Sequence, residues 1–144
     1  MATFNATEYA AAYVNSPATK QLPTVYDGRV RIKWFTIPAI TGLAQNDLVN
    51  LCKLPANARV VAGRIDFDDY GTAITLDIGY SGAENRYLSA LDIATAAGQA
   101  NFADTTARNM GDLLTAEKVI QAKFEGGDPS DTSTARGYIL YVLD

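Results

Sequence analysis

The chain contains 144 residues, of which 12 are basic and 16 acidic, giving a net charge of −4 and a pI of about 4.7. An acidic chain of this kind lacks the basic field that drives a dedicated nucleic-acid binder onto its target. Histidine is absent and Cys52 is the one cysteine, which excludes a histidine general base, imidazole metal sites and an intrachain disulfide.

Residues 1–28 differ in composition from the rest of the chain, because they are rich in Ala, Thr, Asn and Tyr and contain few aliphatic residues. They end in the turn-forming residues Pro23, Asp27 and Gly28. The sequence therefore predicts an extended N-terminal arm over 1–28 and a single domain over 29–144.

Within the arm, the sequence from Thr7 to Val14 predicts one or two helical turns, with Tyr9 and Tyr13 four residues apart on one face. One interpretation is a partly ordered tail. The other is an arm whose Phe4, Tyr9 and Tyr13 dock on a neighbouring subunit. An exposed aromatic ring contributes burial free energy only when another surface covers it, which favours docking.

The first predicted strand runs over residues 29–37, and its alternation places two sets of side chains on opposite faces. One face carries Arg29, Arg31, Lys33 and Phe35, and the other carries Val30, Ile32 and Trp34. We interpret Trp34 as a core residue rather than as a platform for sugar stacking.

The three cations of this strand, capped by Phe35, form a basic stripe with two interpretations. It is a solvated strand face paired with carboxylates across the sheet, or it is an electrostatic footprint for an acidic protein surface and, less favoured, for phosphate. The candidate carboxylates are Asp66, Asp68 and Asp77.

Three strands are predicted in close succession, over residues 48–54, 60–68 and 73–80. Apolar and polar residues alternate along the second and third, and Pro, Asn, Asp and Gly separate the segments. This period of two, bounded by turn residues, is typical of a half-buried antiparallel sheet.

Residues 81–117 give no clear pattern, and we expect a long excursion at one end of the sandwich. Leu88, Leu91 and Ile93 have mixed spacing, which fits a short helix or an irregular inward-packed segment over residues 87–93. Connections of this length in a compact domain tend to be functional or to pack on a partner.

Two further strands are predicted over residues 118–125 and 136–143, separated by a Gly-Gly-Asp-Pro turn. The last strand is apolar on both faces, a pattern normal for central or sandwiched strands. Six strands with turns between them predict an all-β fold, either a β-sandwich or a barrel.

Chemical motifs are scarce. The aspartates near 66–69 and 128–131 lack the spacing of a calcium loop, so we expect Asx turns and solvated strand edges there. We interpret Cys52, inside an apolar strand, as a buried hydrophobic residue.

The sequence predicts no enzyme activity, no catalytic residue, no metal and no cofactor. No apolar run approaches a membrane span, and the N-terminus lacks a signal-peptide pattern.

A family resemblance rests on the run from Asp47 to Val60, the segment Gly71 to Tyr80 and the segment Leu91 to Gly98. These turns and strands resemble the capsid decoration or cement proteins of tailed bacteriophages. The likeness covers roughly residues 45–100 and the C-terminal strands, and it carries no shared ligand residues.

The resemblance implies a non-enzymatic antiparallel β-sandwich, jelly-roll-like or β-tulip-like, that binds the outside of an assembled shell and strengthens it. It implies the major capsid protein as partner, a homo-oligomer with a trimer favoured, and no nucleic-acid or membrane partner. The expected location is the capsid exterior, after production in the host cytoplasm. The alternatives are another virion component, such as a neck, tail or fibre-base protein, and a carbohydrate-binding sandwich.

Overall fold

The computed structural model describes residues 1–15, 30–105 and 109–143. Its strands are β1 Thr3–Asn5, β2 Arg31–Ile37, β3 Leu48–Leu54, β4 Ala58–Phe67, β5 Thr75–Tyr80, β6 Ala83–Asp92, β7 Gly98–Phe102, β8 Asp112–Leu113, β9 Lys118–Glu125 and β10 Ala135–Leu143. One helix, α1 at Thr7–Tyr9, continues as a π-helical segment at Ala10–Val14. No helix among the described residues is long and apolar enough to cross a lipid bilayer.

The strands form two sheets that pack face to face, so the prediction of a β-sandwich is confirmed. The first sheet has the order β1-β3-β9-β5-β6, and the second has β2-β10-β4-β7 with β8 also paired to β4. All the pairings are antiparallel except that of β1 with β3. The core between the sheets contains large side chains, including Phe35, Phe102, Phe124, Tyr70 and Tyr87.

The beginning of the predicted arm folds onto its own chain. β1 extends the first sheet by pairing with β3, and the backbone N–H of Ala6, itself fully buried, donates to the Asn50 carbonyl over 2.6 Å. The predicted helix is present over Thr7–Val14. The remainder of the predicted arm, residues 16–28, lies outside the described residues, as does Arg29.

Segment 81–117 contributes strands to both sheets. Of the two expectations for residues 87–93, the short helix is wrong, while the irregular inward-packed segment agrees with the buried Leu88 and Ile93. Most of that segment belongs to β6, the edge strand of the first sheet. The pairing of β5 with β6 shifts register twice, and Ala90 has a φ of 51°. Such irregularities add residues to one strand and break the period of two, so the strand was not recognisable from alternation.

Candidate protein-interaction surfaces

The outer face of the first sheet is polar. A ladder of amides crosses it, in which Asn50 Nδ2 donates to Asn5 Oδ1 and Gln121 Nε2 donates to Asn50 Oδ1, each over 2.8 Å. Farther along β9, Lys123 Nζ lies 2.6 Å from the Glu125 carboxylate. Paired polar groups of this kind suit a face that remains in water.

The outer face of the second sheet is apolar over much of its area. Cross-strand partners share a face, so the register places two rows of outward side chains across β2, β10 and β4. One row consists of Ile32, Leu140 and Ala62, and the next begins with Trp34 and Tyr138. We call these five residues the outer-face patch.

Trp34 is the most exposed member of the outer-face patch, with 52% of its surface accessible, and its interpretation as a core residue is wrong. Its ring packs edge-on against Tyr138, with centroids 5.1 Å apart. Successive side chains of a strand point to opposite faces. Because Phe35 and Ile37 fill the core, the even-numbered residues of β2, Trp34 among them, point outward. A large exposed apolar area on a sheet is a common feature of protein-binding surfaces.

Charged side chains border the outer-face patch. The outward positions of β10 and β4 carry Arg136, Arg59 and Arg64, against the single carboxylate of Asp66. Arg64 Nε lies 3.1 Å from Asp66 Oδ1, and its Nη2 donates to Gln99. Exposed aromatic rings beside arginines are the composition enriched in protein interfaces.

The described cations of the predicted basic stripe, Arg31 and Lys33, do not lie on a solvated face. Arg31 and Lys33 are half-buried on the core side of β2, and Phe35, predicted to cap the stripe, is buried with 1% exposure. The cross-strand partners of the two cations are Tyr141 and Ile139, both buried. Burial raises the pKa of the Tyr141 hydroxyl, and Arg31 opposes that rise by charge and by a hydrogen bond.

The three aromatic residues predicted to dock on a neighbour lie along the β1/β3 edge of the sandwich. Phe4 and Tyr9 are half-buried and pack against the core of their own chain. Tyr13 is 41% exposed, 5.1 Å from the Tyr9 ring, and Lys53 Nζ lies 4.6 Å from its centroid. Partial burial raises the pKa of Tyr13 and the charge of Lys53 opposes the rise. Of the three rings, Tyr13 offers the most surface to a partner.

One end of the sandwich is acidic. It is built by the loops 38–47, 68–74, 93–97 and 126–134, which contain five aspartates and no lysine or arginine. Aspartate side chains tie these loops together by accepting backbone N–H groups from neighbouring loops. The cross-loop bonds join Gln45 to Asp128 (2.9 Å), Gly42 to Asp131 (3.0 Å), Thr95 to Asp69 (3.1 Å) and Thr134 to Asp68 (2.9 Å).

The aspartates therefore have structural partners. Asp69 also accepts from Gly71 N over 2.8 Å, the Asx turn that the sequence predicts at this position. Within the part of the chain that the structure describes, no three His, Cys, Asp or Glu side chains are grouped to hold a metal ion. Of the candidate carboxylate partners of the basic stripe, Asp66 belongs to β4 and Asp77 to β5, in different sheets.

Cys52 is fully buried, and burial raises the pKa of its thiol to about 12. A thiol that stays protonated at neutral pH is a poor nucleophile, because the thiolate is the reactive form. The interpretation of Cys52 as a buried hydrophobe agrees with this environment.

A polar cluster that the sequence did not indicate fastens β8 and the adjacent Asn109 to β6. Arg86 Nη2 lies 2.6 Å from Asp112 Oδ1, and the Tyr87 hydroxyl donates to Asp112 Oδ2 over 3.0 Å. Asn109 Nδ2 donates to the Arg86 carbonyl over 2.7 Å. Twenty-six residues separate Arg86 from Asp112. In the sequence Arg86 and Tyr87 are neighbours, but nothing there indicates that Asp112 is their partner.

A shallow depression of about 480 Å³ adjoins the acidic end, where β4, β7 and β10 meet. Its polar lining includes Asp66, Asp68, Gln99 and Arg136. Hydrogen bonds from the Thr134 hydroxyl and backbone N–H lower the pKa of Asp68. The depression is open and polar, unlike the enclosed, mostly apolar pockets that bury small ligands.

Comparison with solved structures shows that the fold is shared with chains of phage capsids. A chain of the Ralstonia phage GP4 capsid superposes with a TM-score of 0.71 at 22% identity, over 99% of both chains. A chain of the cyanophage Pam1 capsid asymmetric unit gives 0.68 at 23% identity, over 92% of this chain and 99% of that one.

A third similar chain comes from an acid-stable capsid structure of Helicobacter pylori bacteriophage KHP30. It gives a TM-score of 0.61 at 15% identity, over 85% of this chain and 94% of that one. No family model and no curated protein sequence matches the chain. The resemblance to phage capsid-associated proteins seen in the sequence is thus confirmed at the level of the fold.

Proposed function

We propose that this chain is a virion structural protein that binds the outer surface of an assembled phage capsid and stabilises it through protein–protein contacts. The observation that carries the proposal is the whole-chain match to capsid chains, which spans 92–99% of this chain and 99% of two of its neighbours.

The chemistry of the surface supports a binding role over a catalytic one. Among the described residues the buried thiol is protonated, the loop aspartates accept backbone hydrogen bonds, and no metal-ligand group is assembled. Catalytic sites instead concentrate titratable groups with perturbed pKa values in a cleft. The proposal therefore includes no enzyme activity.

In this proposal the major capsid protein is the partner and the copies form homo-oligomers, with a trimer favoured. Each contact is modest, but repetition over the shell converts modest contacts into durable attachment, because later contacts form at high effective concentration. The exposed Tyr13 and Val14 on the N-terminal segment are available for contacts between copies.

Electron microscopy of particles made with and without the chain tests the proposal. We expect density for the sandwich on the outside of the shell, and earlier loss of genome or shell integrity on heating when the chain is absent. Particles with unchanged heat stability and no added exterior density contradict the proposal. Density at the neck, tail or fibre base would identify the alternative virion role.

One observation favours a carbohydrate-binding sandwich as second candidate: the exposed ring of Trp34, which could stack on a sugar. Its neighbours on the same face, Ile32 and Leu140, are aliphatic and give no hydrogen bonds to sugar hydroxyls. A glycan array distinguishes the two candidates, since binding that is lost in Trp34→Ala supports the carbohydrate module.

A further inference from the structure

We propose that the peptide bond between Met1 and Ala2 is a processing site, and that the α-ammonium group left on Ala2 forms an ion pair with the buried carboxylate of Asp47. This inference goes beyond the proposed function, because it concerns the maturation of the chain and does not depend on a role on the capsid. The contact between Ala2 and Asp47 is the observation that carries it.

Asp47 is a carboxylate held in one position inside the fold. Only 4% of its surface is exposed. Its backbone N–H donates to the Ala44 carbonyl over 3.1 Å, and its own carbonyl accepts the Phe124 N–H over 3.4 Å. Within the carboxylate, Oδ2 accepts the Ala44 N–H over 3.0 Å. The other oxygen, Oδ1, is thereby oriented for a second donor.

That second donor is the nitrogen of Ala2. It lies 2.6 Å from Asp47 Oδ1, as short as the hydrogen bonds that form between charged groups. The next residues are tied to the same strand, since the Leu48 N–H donates to the Ala2 carbonyl over 3.1 Å and Thr3 begins the pairing of β1 with β3. Ala2 is therefore the point at which the chain enters the sheet.

Met1 lies on the far side of this contact and contributes no packing to the core. It is 85% exposed, more than any other large hydrophobic residue that the structure describes. Its removal therefore leaves the buried side chains in place. Methionine aminopeptidases remove a leading methionine when the side chain that follows is small, as that of Ala2 is.

Hydrolysis of the Met1–Ala2 bond changes the donor from an amide to an amine. The oxygen of a water molecule bonds to the Met1 carbonyl carbon, and the carbon–nitrogen bond breaks with its electron pair remaining on Ala2 N. The two protons of that water end on the nitrogen, which gives a carboxylate on the methionine and an ammonium on Ala2. An α-amino group is mostly protonated at neutral pH. Because Ala2 is exposed, the ammonium hydrogens that do not face Asp47 are hydrated.

The two buried aspartates of the described chain differ in their surroundings. Asp77 lies directly opposite Lys123 in the pairing of β5 with β9, so a cation is at hand. Asp47 belongs instead to the acidic end, whose loops contain five aspartates and no lysine or arginine. A carboxylate withdrawn from water is stabilised most by a full opposite charge. A processed Ala2 supplies that charge, whereas the amide of an unprocessed chain supplies only a dipole.

The experiment compares three forms of the full chain. One begins at Met1, one begins at Ala2, and the third is the Ala2 form acetylated on its nitrogen. Acetylation keeps an N–H donor but removes the charge, so the acetylated form is the matched control for the loss of Met1. Each form is also made with Asp47→Asn. Mass spectrometry of chain recovered from the cells that produce it identifies the natural form.

Hydrogen exchange, followed by NMR, reports how firmly the start of β1 is held. The Leu48 N–H is the probe, because it donates to the Ala2 carbonyl. The Tyr70 N–H, which donates to the Ile93 carbonyl over 3.0 Å, is the internal reference.

We expect the recovered chain to lack Met1. Leu48 should exchange about tenfold more slowly in the Ala2 form than in the Met1 form, the increment expected when a neutral donor to a carboxylate becomes charged. The acetylated form should resemble the Met1 form, and Tyr70 should exchange alike in all three. Asp47→Asn should abolish the difference at Leu48.

Recovered chain that keeps Met1 overturns the inference. Equal exchange of Leu48 in the Met1 and Ala2 forms also overturns it, as does an acetylated form that protects Leu48 as well as the free amine does. If Asp47→Asn does not fold, the acetylated form still decides, because it retains the Asp47 side chain. None of these measurements involves a capsid, so failure of the proposed function and failure of this inference are told apart.

Discussion

Gly63 and Phe102 are direct cross-strand partners in the pairing of β4 with β7, and the Phe102 ring occupies the space that a side chain at position 63 would need. The same arrangement recurs in reverse at the other end of the pairing, where Phe67 lies opposite Gly98. In each pair an aromatic ring covers the backbone of a glycine on the next strand.

We expect Gly63→Ala to destabilise the domain by about 1–3 kcal/mol, because the buried Phe102 ring has to leave its position to admit a methyl group. Gly98→Ala is the matched control. A Cβ there would lie 3.0 Å from the end of the Phe67 ring, so a small shift suffices and the cost should be smaller. Urea unfolding of both variants measures the difference, and equal costs would contradict this account of the pairs.

Asp112 should hold β8 onto β6. We expect Asp112→Ala to lower the free energy of unfolding by about 1–3 kcal/mol, mainly because the buried Tyr87 hydroxyl loses its acceptor. The ion pair between Arg86 and Asp112 contributes little to the free energy of unfolding, because the Arg86 side chain is partly exposed and water screens its charge. Hydrogen exchange of residues 103–105 and 109–113 should accelerate in the variant.

Glu117→Ala provides the comparison for Asp112→Ala. Glu117 makes a 3.5 Å ion pair with Lys53 and its side chain is 62% exposed. Surface pairs of this kind contribute about 0–1 kcal/mol, so urea unfolding should show little change. If Glu117→Ala lowered the free energy of unfolding as much as Asp112→Ala, loss of an ion pair alone would account for the effect of Asp112→Ala. The role assigned to the Tyr87 hydrogen bond would then be contradicted.

Cys52 should react only when the domain opens. Its pKa is raised to about 12 by burial, against 9.0 for a free thiol. The folded state therefore binds the thiol proton more tightly than the unfolded state, and this contribution to stability is complete below pH 9 and lost as the pH rises toward 12. Thiol labelling at pH 8 should be slow in buffer and fast in urea. Rapid labelling of folded protein would contradict full burial.

The sequence predicted those parts of the fold in which alternation is undisturbed. The bounds of β3 and β9 agree with the predicted 48–54 and 118–125. β6 was missed because register shifts and the left-handed Ala90 mix inward and outward residues. Its Ala90 N–H donates to the Asp77 carboxylate over 2.6 Å, a contact across thirteen residues that periodicity does not reveal.

The candidate surface illustrates a different limit. Alternation in β2 separated Trp34 from Phe35, but it could not tell which of two apolar faces points to the core. The apolar character of both faces of β10 was the usable indication, since it required a second layer. Which side chains of β10 point outward became clear only when the order of the strands and their register were known.

Asp68 should titrate below an ordinary aspartate because the Thr134 hydroxyl and backbone N–H both donate to its Oδ2, over 2.7 and 2.9 Å. The folded pKa is lowered, so the contribution to stability is present above the ordinary value of 3.8 and is lost as the pH falls through the folded pKa. We expect Thr134→Val to remove the hydroxyl donor but keep the backbone one, and so to raise the pKa of Asp68 part of the way toward 3.8. Carbon-13 NMR titration of the aspartate carboxyls measures the change. An unchanged Asp68 titration in Thr134→Val would show that the Thr134 hydroxyl has no influence on the Asp68 pKa.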